Sequence, residues 1–123
     1  MDEPHIIKDV LWIGSSRKDL KAFPDYVQDV IGYALYKAQK GLKPPEAKVL
    51  AGFGDAGVLE IVGDYQTDTY RAVYTVRFSD LVYVLHAFQK KSKKGHATPK
   101  GQMQLIKKRL RDAEEDYKAR RLR

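Results

Sequence analysis

From Ile6 the chain reads IIKDVLWI, a short run rich in β-branched and aromatic residues that predicts a strand ending at Ile13. Gly14-Ser15-Ser16 interrupts it. Ser15 or Ser16 is placed to cap a short helix running to Phe23, with Asp19 favourable in its first turns. Pro24 fits the start of a second helix. There Val27, Val30, Ile31, Ala34, Leu35 and Ala38 recur at three- and four-residue steps and form one apolar stripe. Gly41 and Pro44-Pro45 end it. Lys48 to Gly54 reads as a glycine-punctuated loop. Three strands are then expected, at Val58–Val62, Tyr70–Phe78 and Leu81–Gln89. A polar turn from Asp64 to Asp68 separates the first two, and Ser79-Asp80 is short enough for a tight hairpin between the last two. Lys90 to Lys100 is a basic loop, and Thr98-Pro99 reads as an N-cap followed by Pro at the first helical position. Met103, Ile106, Leu110, Ala113 and Tyr117 share one face of the last helix. The order β-α-α-β-β-β-α predicts one α+β domain over residues 1–123, with helices on one side of a largely antiparallel sheet.

Charge sharpens this picture. The 123 residues carry 23 Lys and Arg against 16 Asp and Glu, a net +7. Residues 86–123 hold 13 basic and 4 acidic side chains, so the last third carries all of the surplus. Such asymmetry points to a polyanionic partner, of which nucleic acid is the commonest. Cysteine is absent, which excludes disulfides, thiolate zinc sites and a cysteine nucleophile, and fits a reducing, cytoplasmic setting. No stretch approaches the roughly 18 apolar residues that span a membrane. Asp2 and Glu3 stand where a secretory signal would carry basic residues, so none is expected.

Strand alternation places Arg71, Val73, Thr75 and Arg77 on one face, with Tyr70, Ala72, Tyr74, Val76 and Phe78 on the other as a core set. In the next strand His86, Phe88 and Lys90 share a face, opposite Leu81, Tyr83, Leu85 and Ala87. If the core faces coincide, Arg71 and His86 share an open face with Lys90 at its edge, in a register that a one-residue slip would destroy. Gathered cations suit phosphate chemistry. Cleaving RNA requires the 2′-OH to lose a proton and align with phosphorus. Fixed guanidinium and ammonium groups stabilise the extra charge that develops, and a histidine near its ordinary pKa can move protons. Each residue also has a plainer reading: Arg71 as a salt-bridged strand residue, His86 as a packed, hydrogen-bonded residue, and the lysine run as a solvated loop. His5, His86 and His96 lack metal-type spacing, so neither a metal nor any other cofactor is expected. Gly52-Phe53-Gly54 lacks the ending of a nucleotide loop and reads as a turn.

Gly57-Val58-Leu59-Glu60-Ile61, Tyr70-Arg71-Ala72-Val73-Tyr74, the run from Tyr83 to Ser92 (YVLHAFQKKS) and Thr98-Pro99 together resemble the phage-associated HigB-like toxins of the RelE/ParE superfamily. The resemblance runs over nearly the whole chain. It implies a compact RelE-like fold and a ribosome-dependent mRNA interferase that cuts by 2′-OH attack without metal. It also implies partners: mRNA on the ribosome, ribosomal RNA and a helix-turn-helix antitoxin. By motif position it maps the working residues to Arg71, His86, Lys90 and Lys91, with Lys48 as a further analogue. On this reading Arg71 binds the scissile phosphate, His86 moves a proton, and Lys90 and Lys91 neutralise developing charge. Arg77, Lys93, Lys94, Lys100 and Lys107 contact the RNA backbone. Two other outcomes stay open: a ParE-like toxin directed at DNA gyrase, and a non-catalytic module that binds RNA or antitoxin.

Overall fold

The computed structural model describes residues 6–90 and 98–122. Strand β1 (Asp9–Trp12) leads into α1 (Ser16–Lys21) and α2 (Asp25–Gln39); β2 (Ala47–Val49), β3 (Val58–Tyr65), β4 (Asp68–Thr75) and β5 (Leu81–Lys90) follow, and α3 (Lys100–Arg121) closes the order. The five strands form one sheet in the order β1-β5-β4-β3-β2. β1 runs parallel to β5, and the other pairs are antiparallel. The fold is α+β, as the pattern predicts.

Pro24 is the N-cap residue of α2, and its carbonyl accepts the Gln28 N–H. At the far end Gly41 adopts φ +81°, a left-handed turn that glycine enters without a Cβ clash. The predicted stripe on α2 lies inward: Val27, Ile31, Ala34, Leu35 and Ala38 pack on Leu59, Ile61, Ala72, Tyr74, Val82 and Val84. Burying each large aliphatic side chain here stabilises the fold by roughly 1.5–3 kcal/mol.

The expectation that helices lie on one side of the sheet is corrected. α3 covers the second face, where Ile106, Leu110 and Ala113 pack against Val58, Val73, Tyr83, Leu85 and Phe88. β5 is therefore buried on both faces, which explains why its sequence is a nearly unbroken apolar run. Lys48 and Val49, expected in a loop, belong to a short edge strand antiparallel to β3. β3 extends to Tyr65, and only Gln66 and Thr67 turn the chain, with Gln66 at φ +55°. β4 stops at Thr75, so residues 76–80 replace the expected two-residue hairpin. Two bonds divert the chain there: Val76 N–H to the Gly57 carbonyl (3.0 Å) and Arg77 N–H to Thr75 Oγ1 (3.1 Å). Phe78 then leaves the sheet pattern and stacks on Tyr117 of α3, with ring centroids 4.4 Å apart.

One irregularity re-aims side chains. Val73 pairs with His86 but Tyr74 pairs with Val84, so Leu85 is an extra residue in β5. The bulge puts Tyr83 and Leu85 against α3, on the side of His86 and Phe88, and leaves Ala87 on the α2 side. The predicted grouping of Tyr83 and Leu85 with Ala87 is thus overturned. The grouping of Arg71 with His86 holds, because both lie beyond the bulge, but the expectation that their face is open is corrected: α3 covers it, and both residues are buried.

Candidate active site

On the α3 face the pairing draws a grid. Lys48 pairs with Glu60, Glu60 with Val73 and Val73 with His86 in one row across the sheet. Arg71 pairs with Phe88 in another row, and Lys90 pairs with Thr69 near the strand end. Glu60 and Arg71 therefore meet on a diagonal, within reach of long side chains. The Arg71 guanidinium donates to Glu60 Oε1 (3.0 Å) and to Thr98 Oγ1 (3.5 Å). Thr98 Oγ1 donates in turn to Glu60 Oε2 (3.0 Å), and Lys48 Nζ lies 4.0 Å from Glu60 Oε1. Glu60 is 1% exposed and Arg71 is 4% exposed. A bare charge at such depth would be expensive, so each group offsets the cost of burying the other. Lys90 is also buried. Its ammonium pKa is held below the ordinary lysine value by burial first and by the Arg71 charge second, against an opposing pull from Glu60.

An open cleft of about 340 Å³ lies over this cluster. Lys48 and the Val49–Ala51 segment form one wall, Met103 of α3 stands opposite, and Glu60 and Thr98 are reached from it. Lys48 is half exposed, so it is the cation of the group that meets solvent directly. The cleft thus offers one mobile cation at its mouth, buried cationic groups behind it, and a carboxylate among them.

His86 is buried in a separate network. Arg109 donates to His86 Nδ1 (3.1 Å), to the Leu85 carbonyl (3.1 Å) and to Ser15 Oγ (3.1 Å). Ser15 donates to Asp19 Oδ2 (2.7 Å), which ties α1 into the same group. Arginine can only donate, so Nδ1 is the acceptor and the ring proton sits on Nε2, where it faces Gln102 Oε1. The ring stacks on Phe88 with centroids 5.0 Å apart. Burial depresses the His86 pKa most; the Gln102 bond and the Asp19 charge oppose this, while Arg109 adds to it. The imidazole is neutral at neutral pH. Gly14, at φ +56°, passes so close to Arg109 that a Cβ would stand 2.9 Å from the guanidinium.

The structure therefore brings Arg71, Lys90 and Lys48 together and holds His86 beside them with both ring nitrogens engaged. Arg77 lies elsewhere, paired with Glu114 of α3. Lys100 and Lys107 are exposed on α3, at its first residue and two turns further on. Lys91, Lys93 and Lys94 lie outside the described residues, as do His5 and His96. Sequence reasoning missed Glu60, whose single charge in an apolar run (VLEIV) is the one signal that marks it. It also missed Gln102 and Arg109, and it read Thr98 as a helix cap, whereas Pro99 caps α3 and Thr98 faces the cluster. No group of three or more His, Cys, Asp and Glu among the described residues could hold a metal ion, and no helix among them is long and apolar enough to cross a membrane.

An α+β sheet covered on both faces, with Arg, Lys and Glu converging at a cleft under the last helix, fits the RelE/HigB-like class that the sequence resembles. The family described as "Phage derived protein Gp49-like (DUF891)" matches residues 18–111. The chain belongs to this phage-derived, Gp49-like family. No curated protein matches it. It is similar to a chain in the crystal structure of the toxin–antitoxin complex RelBE2 from Mycobacterium tuberculosis, with 16% identity, 74% of this chain and 100% of that chain covered, and a TM-score of 0.47.

Proposed function

We propose that the protein is the toxin of a toxin–antitoxin pair and that it cleaves RNA by internal attack of a ribose 2′-OH. The observation that carries the reading is the Glu60–Arg71 pair at the cleft, flanked by Lys48 and Lys90. Membership of the phage-derived Gp49-like family and the sequence resemblance to RelE/HigB-like toxins support it. A phosphate entering the cleft meets Lys48 first and then competes with Glu60 for the Arg71 guanidinium, whose five N–H donors suit bidentate capture. Glu60 becomes the acceptor for the 2′-OH proton as Arg71 turns to the phosphate. Lys90, whose ammonium releases its proton more readily than an ordinary lysine, donates toward the leaving 5′-oxygen. His86 positions rather than reacts: a proton-moving role would require Nε2 to part from Gln102. Lys91 is assigned with Lys90 to neutralising developing charge, Lys93, Lys94, Lys100 and Lys107 are assigned to messenger or ribosomal RNA backbone, and a helix-turn-helix antitoxin and ribosome-bound mRNA complete the proposed partners.

Mapping cut sites on ribosome-bound message tests this. Lys48→Met and Lys90→Met are expected to slow cleavage by about 10²–10³-fold each, the scale of losing one fixed charge-stabilising group. A deoxyribose at the cut position should abolish cleavage by the wild type. A second reading, a non-catalytic binding module, draws on the engagement of both His86 nitrogens. It predicts unchanged binding and no cleavage of any RNA.

A further inference from the structure

On the opposite face of the sheet from the Arg71 cluster, at the C-terminal end of α2, lies a second cavity of about 220 Å³. Its polar groups are Lys8, Lys43 and Tyr74, and its walls include Leu42, Leu59 and Val76. Tyr74 is 1% exposed and lines this cavity. Buried hydroxyls are normally satisfied by protein, water or ligand. Burial pushes this phenol up to about 12, so at neutral pH it stays a protonated donor. Ammonium groups donate only. At the end of α2 the Tyr36, Lys37 and Ala38 carbonyls already accept from the N–H groups of Lys40, Gly41 and Leu42. The Gln39 carbonyl accepts from Lys8 N–H (3.0 Å), and Gln39 Nε2 donates back to the Lys8 carbonyl (2.6 Å), which pins Lys8 at the rim. No acidic side chain among the described residues lines the cavity.

A site lined by two lysines, a phenol and aliphatic surface suits an acceptor anion with an apolar body. Its volume is below the roughly 300–1,000 Å³ of sites for drug-sized ligands, which argues against a nucleotide and for a group of side-chain size. We infer that this cavity binds a carboxylate carrying a compact apolar body, with the carboxylate between Lys8, Lys43 and the Tyr74 hydroxyl. Two sources share that chemistry: a small free acid, and the C-terminal residue of a peptide. The inference is independent of the RNA-cleavage reading, because the sheet separates the two sites.

Titration of the full-length protein, followed by amide chemical shifts, tests it. Benzoate and N-acetyl-Gly-Leu serve as acids, with benzamide and N-acetyl-Gly-Leu-amide as uncharged controls. Saturable shifts at Gly41, Leu42 and Val76 are expected with at least one acid and with neither amide. The tighter acid identifies the natural source. Tyr74→Phe and Lys43→Gln should each weaken binding by at least about fivefold, the scale of one hydrogen bond or ion contact. Without ligand, Tyr74→Phe should keep the wild-type pattern of amide shifts away from the cavity, so that its loss of binding reports the hydroxyl. Equal shifts with the amides, no saturable shift with either acid, or undiminished binding to Tyr74→Phe would each overturn the inference.

Discussion

Glu60 and Arg71 show how one pair can serve both stability and chemistry. Each is buried, and each is the other's counter-charge at 3.0 Å. Removing Glu60 takes the buried carboxylate away from the Arg71 guanidinium, so Glu60→Ala should destabilise the fold by about 3–5 kcal/mol in urea unfolding. Replacing both, as in Glu60→Leu with Arg71→Met, should recover most of that loss, because buried pairs are often neutral against apolar groups of similar size. A double variant no more stable than Glu60→Ala would contradict the assignment. His86 makes a second residue-scale prediction. Its pKa is lower folded than unfolded, so the unfolded chain binds the extra proton. The His86 contribution is therefore complete above the unfolded value of about 6.5 and is lost as pH falls below it. Unfolding free energy should decline in that window with a slope of up to one proton, and the slope should shrink in His86→Phe.

At the scale of elements, α3 decides what the sheet face can do. It covers His86 and Arg71, and Arg109 is the tie between α3, β5 and α1. Gly14→Ala should therefore cost about 1–2 kcal/mol or more, since it combines a left-handed φ with a contact to the guanidinium. Gly32 is the contrast: a Cβ there meets nothing within 4 Å inside α2, so Gly32→Ala should stabilise by about 0.5–1 kcal/mol in the same unfolding assay. The period of 3.6 made α2 and the inner face of α3 legible in the sequence, and period-2 alternation made the faces of β4 legible. The Leu85 bulge was not, because an extra residue in a uniformly apolar run leaves no trace in its pattern. β2 was hidden for a related reason: three residues on a sheet edge form no period, and the glycines after them argue for a loop. Glu60 could not be tied to Arg71 without the β3–β4 register, and Thr98 sits 27 residues beyond Arg71, where local reading sees only a helix start.

Across the whole molecule the charge is divided by function. The surplus beyond residue 85 is carried in part by Lys100 and Lys107, exposed along α3, while the near-neutral remainder builds the sheet and lends Lys48, Glu60 and Arg71 to the cleft. RNA association should weaken steeply with salt, and neutralising Lys100 or Lys107 should each reduce the slope of log affinity against log salt by about one, without changing where the message is cut. The fold class and the basic surplus were readable from the chain alone. The floor of the cleft was not, because it is assembled from three strands and from Thr98, two residues before α3. The central claim is that this floor cleaves RNA through the neighbouring 2′-OH. Its most direct test compares wild type and Lys90→Met on ribosome-bound message carrying either ribose or deoxyribose at the mapped cut position. The predicted result is cleavage of the ribose message by wild type, a loss of about 10²-fold or more in the variant, and no cleavage of the deoxyribose message by either. Cleavage of the deoxyribose message, or equal rates for the two proteins on ribose, would contradict it.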